Sequence, residues 1–183
     1  MKKFSRFILG RNGWKIVHDI QIPDKCVICM APHTSNWDFL WGLLFGYALE
    51  LHAHFLMKRE WFYFPMGLLM KSLGGIPVDR KRKTSLTDTM IFWFKQSSIF
   101  RLAIAPEGTR QFTKEWKKGF YFIANKAEVP IVITFIDYKT KSLGFASVFY
   151  PTGDYTKDIP HIQAYYKGIE GKFSDQFYSS PSN

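Results

Sequence analysis

KCVICMAPHTSNWD, residues 25–38, joins a buried strand to the start of a helix. Lys25–Ala31 is almost unbroken apolar chain, and a short run of that kind bounded by turn residues reads as a strand covered on both faces. Ser35 and Asn36 are both good N-cap residues, so the spacing predicts a helix over 37–51. A strand that feeds directly into a capped helix is the building block of an α/β fold with a parallel sheet. The polar segment HTSNWD (33–38) therefore falls at a strand exit, where such sheets collect their sites.

The same strand carries Cys26 and Cys29, the only cysteines. Residues three apart on a strand face opposite sides. No second Cys or His pair lies at zinc-finger spacing, so the two read as small buried hydrophobes and not as a metal or redox pair. His52 and His54 are close enough to share a strand face, and read as two exposed histidines.

Working outward, residues 14–22 alternate loosely and predict a strand, closed by the turn Pro23-Asp24-Lys25. Downstream, strands are predicted at 53–57, 76–78, 101–105, 129–137 and 145–150. Helices are predicted at 61–73, 85–97 (with Thr84 as cap), 119–126 and 159–173, the last with Ile159, Ile162, Tyr166, Ile169 and Phe173 on one face. This alternation predicts one α/β domain over 1–183, with a mixed, largely parallel central sheet flanked by helices and a flexible tail at 179–183.

Composition limits the partners. The formal charge is +10 and aromatics make up 18% of residues, a balance that suits an anionic surface or a phosphorylated ligand. Residues 1–13 combine Lys2, Lys3 and Arg6 with Phe4, Phe7, Ile8 and Leu9, a candidate basic segment for an anionic membrane. The longest apolar runs, 39–49 and 61–70, fall short of the roughly 18–20 residues needed to span a bilayer. The apolar part of the first ten residues is too short for a secretory signal. These features predict a cytoplasmic protein, peripheral on the inner face of the membrane.

Three polar clusters fall at predicted strand exits: HTSNWD (33–38), GGIPVDR (74–80) and APEGTR (105–110). In the first, a turn between His33 and the first helical residues lets the imidazole fold back on Asp38. The carboxylate then fixes the tautomer, and the other ring nitrogen is free to take a proton from a hydroxyl. In the last, Gly108 permits an unusual turn, and Arg110 offers a planar fork suited to phosphate. Glu107 could hold that arginine or shape the loop. The middle cluster, with Arg80, Lys81, Arg82 and Lys83, makes a strong local positive field. Nucleophile elbows, dinucleotide fingerprints, phosphate loops and the His-Glu-x-x-His zinc motif are all absent.

Order and spacing of these clusters resemble the glycerolipid acyltransferases typified by lysophosphatidate acyltransferase. That family has His, four residues, then Asp; a Gly-x-Ile-x-x-x-Arg block; Pro-Glu-Gly-Thr-Arg; and a Val-Pro-Ile-like strand. Here His33 to Asp38, Gly75 to Arg80, Pro106 to Arg110, and Val129-Pro130-Ile131 follow in that order. The resemblance implies that His33 is the general base on the acceptor hydroxyl and Asp38 its orienter. It implies that Arg80 and Arg110 bind the acceptor's phosphate, with Glu107, Gly108 and Thr109 shaping that pocket. Lys58 resembles a basic position found between the first two motifs. No metal and no bound cofactor is implied; the donor would be acyl-coenzyme A or an acylated acyl carrier protein. Relatives often have Asn where Pro32 stands here, and an aliphatic residue where Trp37 stands.

The resemblance thus implies an acyltransferase acting on a lysolipid, with an ornithine- or glycine-containing lysolipid as an alternative acceptor. A thioesterase would not need phosphate-binding arginines. A basic nucleic-acid-binding module would account for the charge and the aromatics, yet would leave His33, Asp38 and the Glu-Gly-Thr-Arg turn without a role, so no nucleic acid is expected.

Overall fold

Strand β2 (Lys25–Ala31) lies in the middle of a seven-stranded sheet in the computed structural model, which describes residues 1–78 and 83–177. The elements, in chain order, are α1 (Lys2–Arg11), β1 (Lys15–Val17), β2, α2 (Asn36–Ala48), β3 (His54–Lys58), α3 (Met66–Ser72), β4 (Gly75–Val78) and α4 (Lys83–Gln96). They continue with β5 (Phe100–Ile104), α5 (Gly119–Ala127), β6 (Ile131–Asp137), β7 (Ser142–Phe149) and α6 (Tyr155–Ala164). Among the described residues the strand order is β1-β7-β6-β2-β5-β3-β4. Every neighbouring pair is parallel except β6 and β7. This is the mixed, largely parallel sheet that the sequence predicts.

Helices cover both faces, and β2 shows why its sequence is apolar throughout. Val27, Cys29 and Ala31 face a core formed with Met90 and Phe94 of α4, Phe120 and Tyr121 of α5, and Ile159 and Ile162 of α6. Cys26 and Ile28 face the other core, with Leu9 of α1 and Phe45 and Ala48 of α2. The two cysteines are free, fully buried and on opposite faces, as the strand period requires. Burial pushes both thiols up, Cys26 to about 12, which leaves them unreactive packing groups.

The chain path also creates a crevice. From β2 the chain leaves through α2 on one face towards β3, whereas from the adjacent β5 it leaves through α5 on the other face towards β6. Neighbouring parallel strands whose connections depart in opposite directions leave an opening beyond their carboxyl ends, the usual ligand position in such sheets. The loops 32–35 and 105–118 rim that opening.

Several predicted elements differ in extent. Only Lys15–Val17 of the predicted 14–22 strand pairs, with β7; Ile20 and Ile22 still pack on the core, which is what their alternation reflects. The predicted 61–73 helix is a 3-10 turn, Arg59–Trp61, followed by α3. Pro65 lacks an N–H and disfavours helical backbone in the residue before it, so the helix begins only after it. The predicted 159–173 helix instead runs Tyr155–Ala164, capped by Asp154, which accepts from the Thr156 N–H at 3.1 Å. Gly168, at φ +80°, turns the chain away. Ile159, Ile162 and Tyr166 are buried as expected, but Phe173 is 46% exposed. Helix α4 begins at Lys83, so Thr84 stands inside it and not at its cap. His54 is half-buried against Phe100, ring centroids 4.9 Å apart, and is not the exposed histidine expected. The expected tail, 179–183, lies outside the described residues.

Candidate active site

Asp38 is delivered to His33 by the chemistry that starts α2. The Ser35 side chain caps the helix by accepting from the Trp37 N–H at 3.2 Å. In return Asp38 Oδ2 accepts the N–H groups of Ser35 and Thr34, each at 2.7 Å. This reciprocal capping box folds the carboxylate back over the loop. It leaves Oδ2 3.5 Å from His33 Nδ1, with the Asp38 side chain only 2% exposed and that of His33 27% exposed. The imidazole and carboxylate are thus brought together, though at a separation long for a hydrogen bond.

The second rim of the crevice fixes the first. β2 and β5 are in register from Lys25↔Phe100 to Cys29↔Ile104, so the loops after them leave the sheet side by side. Glu107 reaches across and accepts the His33 backbone N–H through Oε1 at 2.8 Å. It is 4% exposed, and its Oε2 is buried without a partner among the described residues. Burial pushes the Glu107 carboxyl up from 4.5 to about 7, against the lowering effects of backbone N–H groups and of His33. Of the two roles the sequence allows, Glu107 shapes the loop: it faces His33.

Gly108 sits at φ +65°. A Cβ there would come within 2.8 Å of Lys117 Cγ, so both backbone and space favour glycine. Thr109 Oγ1 accepts from the Gln111 N–H at 3.2 Å, and exposed Arg110 donates from Nη1 to Asn36 Oδ1 at the start of α2. Arg110 is therefore held beside the turn that bears Asp38. Lys58, exposed, ends β3 at the same edge of the sheet, in register with Val78. Arg80 lies outside the described residues. His33, Asp38, Glu107, Gly108, Thr109 and Arg110 converge on one crevice.

Two features were not singled out from the sequence. Tyr138 follows β6, whose carboxyl end points the same way as that of β2, and its hydroxyl donates to Asp38 Oδ1 at 2.6 Å. The only signal was its place at a strand exit. The other is a cavity of about 360 Å³ between α2 and the β3–α3 edge, bounded by Asp38 at one point and largely by apolar groups such as Met30, Phe39, Leu43 and Phe55. Its α2 wall includes Gly42 and Gly46. In the sequence these are glycines in an apolar helix, with nothing to show that they face a void. No group of three or more His, Cys, Asp or Glu suited to a metal ion occurs among the described residues.

Known proteins resemble this chain in sequence and in fold. A probable 1-acyl-sn-glycerol-3-phosphate acyltransferase of Mycoplasma pneumoniae is 30% identical over 130 residues, which are 64% of this chain and 46% of that protein. The chain thus spans about half the length of this curated relative. The crystal structure of the 1-acyl-sn-glycerophosphate (LPA) acyltransferase PlsC from Thermotoga maritima matches with a TM-score of 0.61, covering 92% of this chain and 74% of that one. At 18% identity that likeness shows the fold. Residues 15–136 match the Acyltransferase family, a stretch from β1 almost to the end of β6 that holds His33, Asp38 and the Glu107–Arg110 turn. The chain belongs to the Acyltransferase family.

Proposed function

We propose that the protein moves a fatty acyl chain from an acyl thioester onto a hydroxyl of a lysoglycerophospholipid-type acceptor. The observation that carries this reading is the His33–Asp38 pair, Nδ1 to Oδ2 3.5 Å, with Asp38 also lining an apolar cavity. A cavity of about 360 Å³ is in the range of small-ligand sites, and its apolar lining suits an acyl chain.

Asp38 orients His33 through Nδ1, and the other ring nitrogen takes the proton of the acceptor hydroxyl. The oxygen attacks the thioester carbonyl carbon and forms the ester bond. The C–S bond breaks, and the leaving thiolate takes the proton back from the imidazolium. The donor is acyl-coenzyme A or an acylated acyl carrier protein, and no bound cofactor takes part. Arg110 and Arg80 pair the acceptor's phosphate, aided by Lys58, with Glu107, Gly108 and Thr109 shaping the pocket.

The reaction takes place at an anionic membrane, on its cytoplasmic face, where the lysolipid acceptor resides; no nucleic acid is involved. No helix among the described residues is long and apolar enough to cross a membrane. Exposed Phe4 and Phe7 on α1 provide a contact from outside the hydrocarbon.

The test is transfer by the purified protein to a panel of lysolipids, with both donor types. His33→Ala should lower turnover by roughly 10²- to 10⁴-fold while the fold is retained. Unchanged turnover in that variant removes the mechanism. Donor hydrolysis at the same rate with and without acceptor would make the protein a thioesterase instead.

A further inference from the structure

We infer that Tyr138 is a positioning residue for the His33–Asp38 pair, holding the Asp38 carboxylate in the plane that keeps Oδ2 towards the imidazole. This inference rests on the acyl-transfer reading for its consequence in turnover, though not for the geometry itself.

The geometry is specific. Asp38 Oδ2 is occupied by the Thr34 and Ser35 N–H groups and faces His33 Nδ1. Those bonds anchor one oxygen and leave the carboxylate free to turn about it. The Tyr138 hydroxyl closes that freedom by donating to the other oxygen, Oδ1, at 2.6 Å. A contact of 3.5 Å between imidazole and carboxylate is marginal, so a modest rotation of the carboxylate removes it.

Tyr138 is itself held from three directions. Its backbone N–H donates to the Glu170 carbonyl at 2.9 Å. The preceding Asp137 carboxylate braces the same turn by accepting the N–H groups of Lys139 and Glu170, each at 3.1 Å. The Tyr138 ring stands edge-on to Trp14, centroids 5.0 Å apart, and Trp14 packs on Trp41 at 5.4 Å. Trp41 lies one turn beyond Asp38 on α2, and its side chain also interacts with the Tyr138 hydroxyl. A residue 100 positions from Asp38 in sequence thus reaches it from a braced strand end. Burial and the neighbouring Asp38 raise the Tyr138 hydroxyl well above its ordinary range, so it stays a donor throughout the working pH range. Among the described residues, the ionisable groups that face His33 include Asp38 from α2 and Glu107 from the loop after β5.

The test is Tyr138→Phe, which keeps the ring and removes the donor. Turnover should fall roughly 10-fold with the acceptor KM unchanged, since the lost bond acts through Asp38 and not on bound substrate. In an Asp38→Asn background the same substitution should cost nothing more, because the group it positions is already disabled. A separate readout needs no substrate. The imidazole nitrogen signals of His33, assigned with His33→Gln, are titrated by NMR. A carboxylate that turns away stabilises imidazolium less, so the His33 midpoint should move to lower pH. An upward move with unchanged turnover would mean that Tyr138 only draws charge from Asp38, and would overturn the positioning role. Normal turnover with an unmoved midpoint overturns it as well, as does an equal loss in both backgrounds. If the unmodified protein transfers no acyl group while the midpoint still falls, the acyl-transfer reading fails and the positioning of Asp38 stands.

Discussion

Glu107 combines two roles that pull in opposite directions. As an acceptor it anchors the His33 backbone, and as a buried group it resists ionisation. An orphan Oε2 and a carboxyl raised to about 7 fit one description, a glutamate protonated over much of the acidic range. The folded-state value lies above the ordinary 4.5, so the folded protein binds more protons between those values than the unfolded chain does. Stability from this group is complete below about 4.5 and is lost as pH rises through about 7. Glu107→Gln keeps an acceptor for the His33 N–H and cannot ionise. The variant should therefore lose less stability than the parent on going from pH 5 to 8, by about 1–3 kcal/mol. Urea unfolding at both pH values measures it, and parallel losses in the two proteins would show that Glu107 ionises as an ordinary carboxylate. At this scale the sequence was legible in residue types and in local pairings, and not in distant ones. His33 with Asp38 could be read because one turn joins them. Glu107 with the His33 backbone could not, because it joins loops 74 residues apart.

Helix α2 illustrates the element scale. Its capping box both starts the helix and places the carboxylate, so one local motif caps α2 and brings Asp38 towards His33. Farther along, Gly42 and Gly46 line the cavity. A Cβ at Gly42 would approach Met30 Sδ to 3.0 Å, whereas one at Gly46 meets nothing within 4 Å. Gly46→Leu therefore has open space at its Cβ and is expected to narrow the cavity. It should shift transfer towards shorter acyl donors while raising helix stability by about 0.5–1 kcal/mol, since glycine is a poor helix former. Rates across a series of donor chain lengths, beside a melting curve, decide the matter. An unchanged chain-length profile in a stably folded variant would place the acyl chain somewhere other than this cavity. Element boundaries were legible where turn chemistry was explicit, as at Ser35. They were missed where a breaker cut an apolar pattern, as Pro65 did before α3 and Gly168 after α6.

At the scale of the whole molecule, the proposed membrane contact depends on which basic and aromatic side chains α1 leaves exposed. Helix α1 packs on α2 through Leu9, while Phe4 and Phe7 stand 60% and 65% exposed. Two of its exposed charges are engaged. Lys2 pairs with Glu50 at 2.6 Å, and Arg6 Nε donates to the Ala48 carbonyl at 3.2 Å. Two of the cations expected to meet a membrane are therefore tied to the end of α2, and the phenylalanines are the freer contact. Replacing Phe4 and Phe7 by serine should weaken sedimentation with anionic vesicles by roughly 10-fold or more, because each buried aromatic contributes about 1.5–3 kcal/mol. Lys2→Gln should have a smaller effect. If the double variant sediments like the parent, contact is made elsewhere, with Trp61, Tyr63 and Phe64 the next exposed aromatic group.

The sequence by itself determined the α/β class, the strand-to-helix unit at residues 25–38 and the pairing of His33 with Asp38. Each depends on residues close together in the chain, where side-chain period, capping and turn chemistry act locally. Only the tertiary structure decided which strands became neighbours. The opposite departures of the chain from β2 and β5 set Glu107 under His33 and Arg110 beside Asn36. Parallel alignment of β6 with β2 brought Tyr138 to Asp38 across 100 residues. Strand order follows from how helices pack on the two faces of the sheet, and that packing is a property of the folded whole, with no signature in any one segment.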